Sequence, residues 1–204
     1  MTSTPSFIPD PPSEDDDRFS RAFKAWREWN VAVHFLTNLH FGVDDAKVFC
    51  VDADPPDVVF ADARFEVKEI LDEGRRRHDE VKADRARSLQ RPEKLNVVSY
   101  TPKNLFPEDV GSLVLSDLQR LQKKGRYTTE VRKNLDLLFY VNKLEYWFDH
   151  GAVPAPTLFE SYGWWSVSAL VNSQTSIVFM ADDSAPGFLR ENVCRVRERW
   201  EPLD

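Results

Sequence analysis

Two acids and a lysine stand close enough together in this chain to do chemistry as a group. Eight residues separate Asp57 from Glu66, and Val67 and Lys68 follow directly. Mg²⁺ prefers a nearly octahedral set of hard oxygens, usually one or two carboxylates plus water and a substrate phosphate. Asp57, Glu66 and the backbone carbonyl of Val67 could supply such ligands. Lys68 could then hold an attacking water or neutralise charge on phosphoryl oxygens, so the pattern predicts a Mg²⁺ or Mn²⁺ site for phosphate chemistry.

A β-hairpin is the element that must bring these residues together. Two short apolar runs, Val58–Phe60 and Phe65–Ile70, flank a small polar connection and are typical of hairpin strands. Folding the hairpin returns Asp57 to the side of Glu66, and strand alternation places Glu66 and Lys68 on one face. The same hairpin could instead present an ordinary Glu/Lys pair to solvent, and the motif alone does not decide between the two.

The order Pro-Asp, eight residues, then Glu-x-Lys resembles the signature of the PD-(D/E)XK nuclease superfamily, which has the restriction-endonuclease-like fold. In that superfamily the matching Asp and Glu bind the metal and the matching Lys assists hydrolysis. By resemblance, these roles fall on Asp57, Glu66 and Lys68. The whole chain is also similar to a bacterial family catalogued as endonucleases. The function implied is metal-dependent hydrolysis of phosphodiester bonds in nucleic acid, with DNA as the expected substrate.

Residues 19–40 are predicted to form the first helix, because apolar side chains recur there at helical spacing and Gly42 can end it. Many PD-(D/E)XK nucleases have a further acid on this helix. Glu28 is the only acid in the middle of it, and at 100° per residue it points almost opposite Trp26, away from the apolar stripe. A third carboxylate therefore stays open, with Asp44 and Asp45 in the following loop as other candidates.

The remaining elements of the first half complete an αβββαβ order. Lys47–Val51 is predicted as a strand before the hairpin, and Leu71–Gln90 as a polar surface helix after it. Leu95–Tyr100 is then the fourth strand. This is the order of the restriction-endonuclease-like core, which would span about residues 19–100. The order of elements and the Asp57/Glu66/Lys68 motif are independent features, and both favour the same fold.

The second half, about residues 105–200, is predicted as a helical and β-hairpin addition to that core. Pro107–Lys124 has the pattern of a helix ended by Gly125, and Thr128–Phe148 that of a longer helix. The longer segment is apolar on nearly all sides, so it is expected in the core or in a homodimer interface. The last predicted elements are a hairpin of Trp164–Val171 with Ser176–Ala181 and a short helix near Phe188–Arg197.

Composition favours one globular domain over residues 18–204. The chain has 204 residues, of which 42% are hydrophobic, and residues 1–17 form a Pro-rich, acidic tail expected to be disordered. No apolar run approaches the roughly 18–20 residues needed to cross a membrane. No basic-then-apolar leader pattern is present, and the two cysteines, Cys50 and Cys194, are far apart. A cytoplasmic protein with reduced thiols is therefore expected.

The net charge of −7 is unevenly distributed along the chain. The tail carries −5 of it, which leaves −2 for the rest, and cations cluster in two later stretches. A basic face of this kind suits phosphate binding, although solvated helix surfaces explain the same charges. The expected nucleic-acid contacts are Arg75, Arg77, Lys123, Lys124 and Arg126.

Two alternatives from other classes remain. The fold could serve as a nucleic-acid-binding or protein-interaction module that no longer cleaves, since the third acid is uncertain and the chain lacks a basic excess. It could also be a subunit of an assembly, with the predicted helix Thr128–Phe148 as its interface.

Overall fold

A computed structural model describes residues 6–11, 21–40, 42–52, 54–72, 102–143 and 146–199. Its helices are α1 (Arg21–Asn38), α2 (Pro107–Lys124), α3 (Thr129–Arg132), α4 (Thr157–Glu160) and α5 (Gly187–Arg190). Its strands are β1 (Ser6–Phe7), β2 (Val48–Val51), β3 (Val58–Phe60), β4 (Ala63–Leu71), β5 (Lys103–Leu105), β6 (Asp136–Asn142), β7 (Tyr146–Phe148), β8 (Ser166–Val171), β9 (Thr175–Ala181) and β10 (Arg195–Glu198). Of the predicted helix Leu71–Gln90 only Leu71, which ends β4, and Asp72 are described, and the predicted strand Leu95–Tyr100 lies outside the described residues.

The fold is mixed α/β and is built on one large sheet. Eight of the described strands form it in the order β1-β2-β3-β4-β6-β8-β9-β10. β4 pairs with β6 and β6 with β8 in parallel, whereas the other neighbours in this sheet are antiparallel. β5 and β7 form a separate parallel ribbon. Of the helices described, none is long and apolar enough to cross a membrane.

Helices cover both faces of the sheet. α1 shares one hydrophobic cluster with Phe65 and Leu138, and α2 shares the other with Leu137 and Phe139. Successive side chains of β6 therefore enter opposite cores, as strand geometry requires. Its central residues are fully buried as a result.

The predicted hairpin is confirmed, and its register sets the site. β3 and β4 pair antiparallel with Val58 opposite Phe65 and Phe60 opposite Ala63. The predicted strand at Lys47–Val51 is also confirmed as β2, which begins one residue later, after a short 3₁₀ turn at Asp45–Lys47. β2 pairs antiparallel with β3, so the motif hairpin is held between β2 and β6.

Two further elements in the second half are confirmed. α2 spans the predicted Pro107–Lys124, and it ends at Gly125, whose φ of 62° lies in the left-handed region that favours glycine. The hairpin of β8 and β9 occupies the predicted segments and is almost wholly buried. Its turn at residues 172–174 lies where the sequence places it.

The prediction of one long helix over Thr128–Phe148 is wrong. The segment holds the single-turn α3, the strand β6 and the ribbon strand β7. A parallel strand covered by helices on both faces is apolar at every position, so periodicity cannot separate it from a buried helix. Because β6 lies in the sheet between β4 and β8, it also cannot provide the assembly interface proposed for that helix.

The predicted C-terminal helix near Phe188–Arg197 is only partly correct. α5 covers the single turn Gly187–Arg190, and the following residues form β10 at the edge of the sheet. Arg195 pairs opposite Val178 of β9, so the sequence that follows the turn is extended. Alternating charged residues there suit an edge strand with one solvated face.

Asp136 anchors the start of the central strand. It is fully buried, its Oδ2 accepts a hydrogen bond from the Arg64 backbone N–H at 2.8 Å, and its Oδ1 accepts one from the Ser166 hydroxyl at 2.7 Å. These bonds connect β4, the strand that carries Glu66, with β6 and β8. Burial raises the pKa of Asp136 to about 6, against the opposing effect of the two hydrogen bonds.

The stability of Asp136→Asn relative to that of the native chain is expected to rise as pH increases from 4 to 7. A raised folded-state pKa means that the native contribution is fully present below the unfolded value of 3.8 and is lost as pH rises through about 6. The gain should reach up to roughly 3 kcal/mol, at about 1.4 kcal/mol per pKa unit. Urea unfolding at several pH values measures it.

Asp182→Asn is the matched control with the opposite sign. Hydrogen bonds from Ser184 lower the pKa of the Asp182 carboxyl, so this variant should lose stability relative to the native chain as pH rises. A constant difference between Asp136→Asn and the native chain across the pH range would contradict the raised pKa of Asp136.

Candidate functional site

Asp57 is fixed where β3 begins, so its carboxylate faces β4. Its backbone N–H donates to Phe65 O at 2.9 Å, and its Oδ2 accepts from the Val67 N–H at 2.9 Å. The side chain thus takes the place of a strand carbonyl beyond the last paired residue of β3. Asp57 is buried, and the predicted approach of Asp57 to Glu66 and Val67 is what the structure has.

Glu66 lies on β4 with its carboxylate buried on the side of α2. Its Oε1 accepts hydrogen bonds from the Lys68 ammonium and from the Tyr127 hydroxyl. Its Oε2 is buried and has no hydrogen-bond partner in the described part of the chain. A buried carboxylate oxygen without a donor costs free energy, and a cation is one partner that would satisfy it.

Three carboxylates form the candidate metal site. One oxygen each from Asp54, Asp57 and Glu66 lie within 4.8 Å of one another. Asp57 and Glu66 are buried, whereas Asp54 is exposed at the rim. This donor set consists of hard anionic oxygens and fits Mg²⁺ or Mn²⁺.

Lys68 lies on the same face as Glu66, as alternation along β4 predicts. Its ammonium donates to Glu66 and also, at 3.1 Å, to the backbone oxygen of Val67. The carbonyl predicted as a metal ligand is therefore engaged by Lys68 in this structure. Lys68 itself is about one-fifth exposed and reaches the rim of the site.

Glu28 lies beside this group, and the expectation that it points away from the apolar stripe is wrong, because it shares a helix face with the fully buried Phe35. The face of α1 opposite Trp26 is directed at the edge of the sheet rather than at solvent, so Glu28 is buried. Lys24 Nζ lies 3.3 Å from Glu28 Oε1 and 3.3 Å from Asp57 Oδ1. Burial, and then the negative charge of Asp57, raise the pKa of Glu28 to about 7.

The other candidates for a third acid lie apart from the site. Asp44 caps the 3₁₀ turn by accepting from the Ala46 N–H at 3.1 Å, and it pairs with Lys47 at 3.6 Å. Asp45 is exposed within that turn. Neither belongs to the carboxylate group found among the described residues.

Of the predicted nucleic-acid contacts that the structure describes, Arg126 is hydrogen-bonded to this site. Its Nη2 lies 3.0 Å from both Oδ1 and Oδ2 of Asp54, and its guanidinium packs 5.3 Å from the ring centre of Tyr127. Lys123 and Lys124 end α2 on the exposed surface just before it. The other two predicted contacts, Arg75 and Arg77, lie outside the described residues.

Three site residues were missed in the sequence. Asp54 precedes the hairpin in a short polar connection that carries no motif. Lys24 lies one helical turn before Glu28, and the 3–4 spacing of helix faces is the signal that could have indicated it. Tyr127 lies 61 residues from Glu66 in the chain, so no local pattern connects the two. The contact between Tyr127 and Glu66 forms only when α2 packs on the sheet.

The fold and site together define an α/β protein with a buried carboxylate group at the edge of a hairpin, flanked by lysines and an arginine. The chain belongs to the family described as "Putative endonuclease, protein of unknown function (DUF1780)", whose profile matches residues 12–199. That match includes every site residue named above. No curated protein matches the chain.

A solved structure from Pseudomonas aeruginosa strain PAO1 is similar in fold. It is described as a protein of unknown function of the monooxygenase superfamily. The TM-score is 0.59 at 24% identity, covering 89% of this chain and 84% of that one. At this identity the likeness extends to the fold alone.

Removing the charge of Asp57 is expected to lower the pKa of Glu28 from about 7, because the nearby negative charge opposes ionisation. Asp57→Asn preserves an oxygen for the Val67 N–H, so the hairpin should persist. Lys24→Met should shift the pKa of Glu28 upward instead. A ¹³C NMR titration of the glutamate carboxyl carbons measures both shifts, and Asp44→Asn is the control that should leave it unmoved.

Identical Glu28 titrations in the native chain and in Asp57→Asn would contradict this electrostatic contact.

Proposed function

We propose that this protein is a metal-dependent endonuclease of the PD-(D/E)XK type that hydrolyses phosphodiester bonds of nucleic acid, with DNA as the expected substrate. The observation that carries the proposal is the group of Asp54, Asp57 and Glu66, whose oxygens converge within 4.8 Å beside the Lys68 ammonium. The family description supports the endonuclease class in general terms. The metal, the substrate and the residue roles are the further content of the proposal.

Mg²⁺ or Mn²⁺ would be held by Asp57, by Oε2 of Glu66, which has no hydrogen-bond partner among the described residues, and by Asp54 once Arg126 releases it. The Val67 carbonyl could join them if Lys68 turns toward substrate. A bound ion would supply an activated water and neutralise charge on the phosphate. The ammonium of Lys24 already lies between Glu28 and Asp57, so that side of Asp57 is neutralised by the protein itself.

Lys68 would orient the attacking water or stabilise negative charge that develops on the phosphoryl oxygens. Its position next to Glu66 keeps the ammonium within the site before substrate arrives. Water attacking in line at phosphorus needs no covalent intermediate. Cys50, close to Asp57 and Glu28, is unsuited as a nucleophile because burial raises the pKa of its thiol to about 12.

The order of described elements also supports the restriction-endonuclease-like core, although with other segments than predicted. α1, β2, β3 and β4 give one helix and three strands, and α2 and β6 then supply a helix and a strand parallel to β4. The short strand β5 lies between β4 and α2 in the chain, but it pairs with β7 in the separate ribbon. In this arrangement Glu66 and Lys68 lie on the third strand of the proposed core, and Asp57 directly precedes the second.

Asp57→Asn and Lys68→Met are each expected to reduce cleavage by at least about 100-fold, the scale seen when one group that stabilises transition-state charge is removed. The assay follows supercoiled plasmid, single-stranded DNA and RNA with Mg²⁺ or Mn²⁺. Each variant is purified separately, and Asp44→Asn and Lys47→Met, at the exposed 3₁₀ turn, are the controls with matched charge changes.

Cleavage that survives in both site variants would overturn the assignment of this site. A native chain that binds nucleic acid but cleaves none of these substrates would favour the module that no longer cleaves.

Arg126→Gln is expected to weaken binding of an oligonucleotide and to reduce the slope of log affinity against log salt by about 1, as for loss of one phosphate contact. The physical reason is that Arg126 lies at the rim, and its exposed bond to Asp54 is easily exchanged for a phosphate. Fluorescence anisotropy at several salt concentrations, in Ca²⁺ to prevent cleavage, measures the slope.

Arg195→Gln is the matched control, because Arg195 is exposed on β10 at the far edge of the sheet. An equal effect of the two substitutions would mean that Arg126 contributes only its share of the overall charge.

A further inference from the structure

Tyr127 reaches the site from the loop between α2 and α3. Its ring is buried, it meets Trp164 edge-on with ring centres 5.2 Å apart, and the Arg126 guanidinium lies 5.3 Å from its centre. These contacts fix the ring independently of the hydroxyl. The hydroxyl is therefore presented to Glu66 by a rigid support.

The two oxygens of Glu66 have different surroundings, and Tyr127 is one cause. Oε1 accepts from both the Tyr127 hydroxyl and the Lys68 ammonium. Oε2 is buried without a hydrogen-bond partner in the part of the chain described. A carboxylate held by donors on one oxygen leaves the other free for a cation in one defined direction.

We propose that Tyr127 is a positioning residue for the metal site: its hydroxyl holds Glu66 by Oε1 so that Oε2 stays turned toward the ion. This inference rests on the proposed function, since it requires that the carboxylate group binds a cation. Tyr127 does not touch the substrate in this role, and it acts through Glu66.

Lys68 alone would not hold Glu66 in this orientation. Its ammonium is shared with the Val67 carbonyl and is carried on a flexible four-carbon stem. If Lys68 turns toward water or phosphate during the reaction, Oε1 retains only the hydroxyl of Tyr127. The tyrosine therefore keeps the ligand in place while the lysine does chemistry.

Packing is the competing role for Tyr127, because the residue also belongs to the hydrophobic cluster on the α2 side of the sheet. Phenylalanine would fill the same space and keep the contacts with Trp164 and Arg126. The substitution removes only the hydroxyl that binds Glu66, so Tyr127→Phe separates the positioning role from the packing role. Tyr162 packs against the same cluster, and Tyr162→Phe is the matched control.

The test is Mn²⁺ binding to the full chain by titration calorimetry, which needs neither substrate nor turnover. Tyr127→Phe is expected to raise the dissociation constant 10- to 100-fold, the usual effect of losing a partner of a metal ligand. Tyr162→Phe should bind Mn²⁺ like the native chain. Thermal unfolding of all three proteins checks that a weaker affinity does not reflect loss of the fold.

Equal Mn²⁺ affinity in the native chain and in Tyr127→Phe would overturn the positioning role while leaving the metal site intact. A native chain that binds no Mn²⁺ would instead overturn the metal in the proposed function, and this inference with it. Should Tyr127→Phe fail to fold, a crystal structure of the native chain with Mn²⁺ decides. Coordination through Oε2 with Tyr127 on Oε1 supports the role, and a Glu66 turned otherwise overturns it.

Discussion

The parallel pairing of β4 with β6 is the constraint on which the site depends. It runs over seven positions, from Phe65 opposite Asp136 to Leu71 opposite Asn142, and it places β4 inside the sheet. Phe65 must then enter the core under α1, and strand alternation turns Glu66 to the α2 side. A slip by one residue would exchange the two faces and put Glu66 into the apolar core under α1. The strand register that buries Phe65 in one core therefore also directs the Glu66 carboxylate to the α2 side of the sheet.

The site opens where one strand is shorter than its neighbour. β3 begins at Val58, whereas β4 continues to Leu71, so within the described residues the second half of β4 has no strand on that side. The Asp57 carboxylate accepts the hydrogen bond from the Val67 N–H that the carbonyl of a neighbouring strand would otherwise accept. The sheet thus presents the carboxylates at a rim formed by regular strand structure, and side chains on such rigid elements are held to narrow tolerances.

Local patterns predicted the parts of this molecule that depend on local contacts. The hairpin of Asp57 and Glu66 and the bounds of α2 follow from alternation, helical spacing and glycine placement. β6 was mistaken for a helix because burial on both faces removes the alternation that marks a strand. The helical wheel placed Glu28 opposite Trp26 correctly, but it could not show that this face of α1 is buried beside Asp57. The role of Tyr127 depends on its contact with Glu66, which joins distant parts of the chain and is not visible in a single sequence.

Charge balance explains why this acidic group can exist inside a stable domain and what it is suited to do. Unpaired carboxylates in an apolar setting are costly, yet Glu66 and Asp57 are both buried. Lys68 offsets Glu66, and Lys24 lies between Asp57 and Glu28, so the cations lie around the carboxylates. Asp54 and its partner Arg126 are exposed, and that pair can exchange with solvent, metal or phosphate. The buried part of the site is thus fixed by the protein itself, and the exposed part is the one that can change partners, a division that suits the proposed metal-assisted hydrolysis.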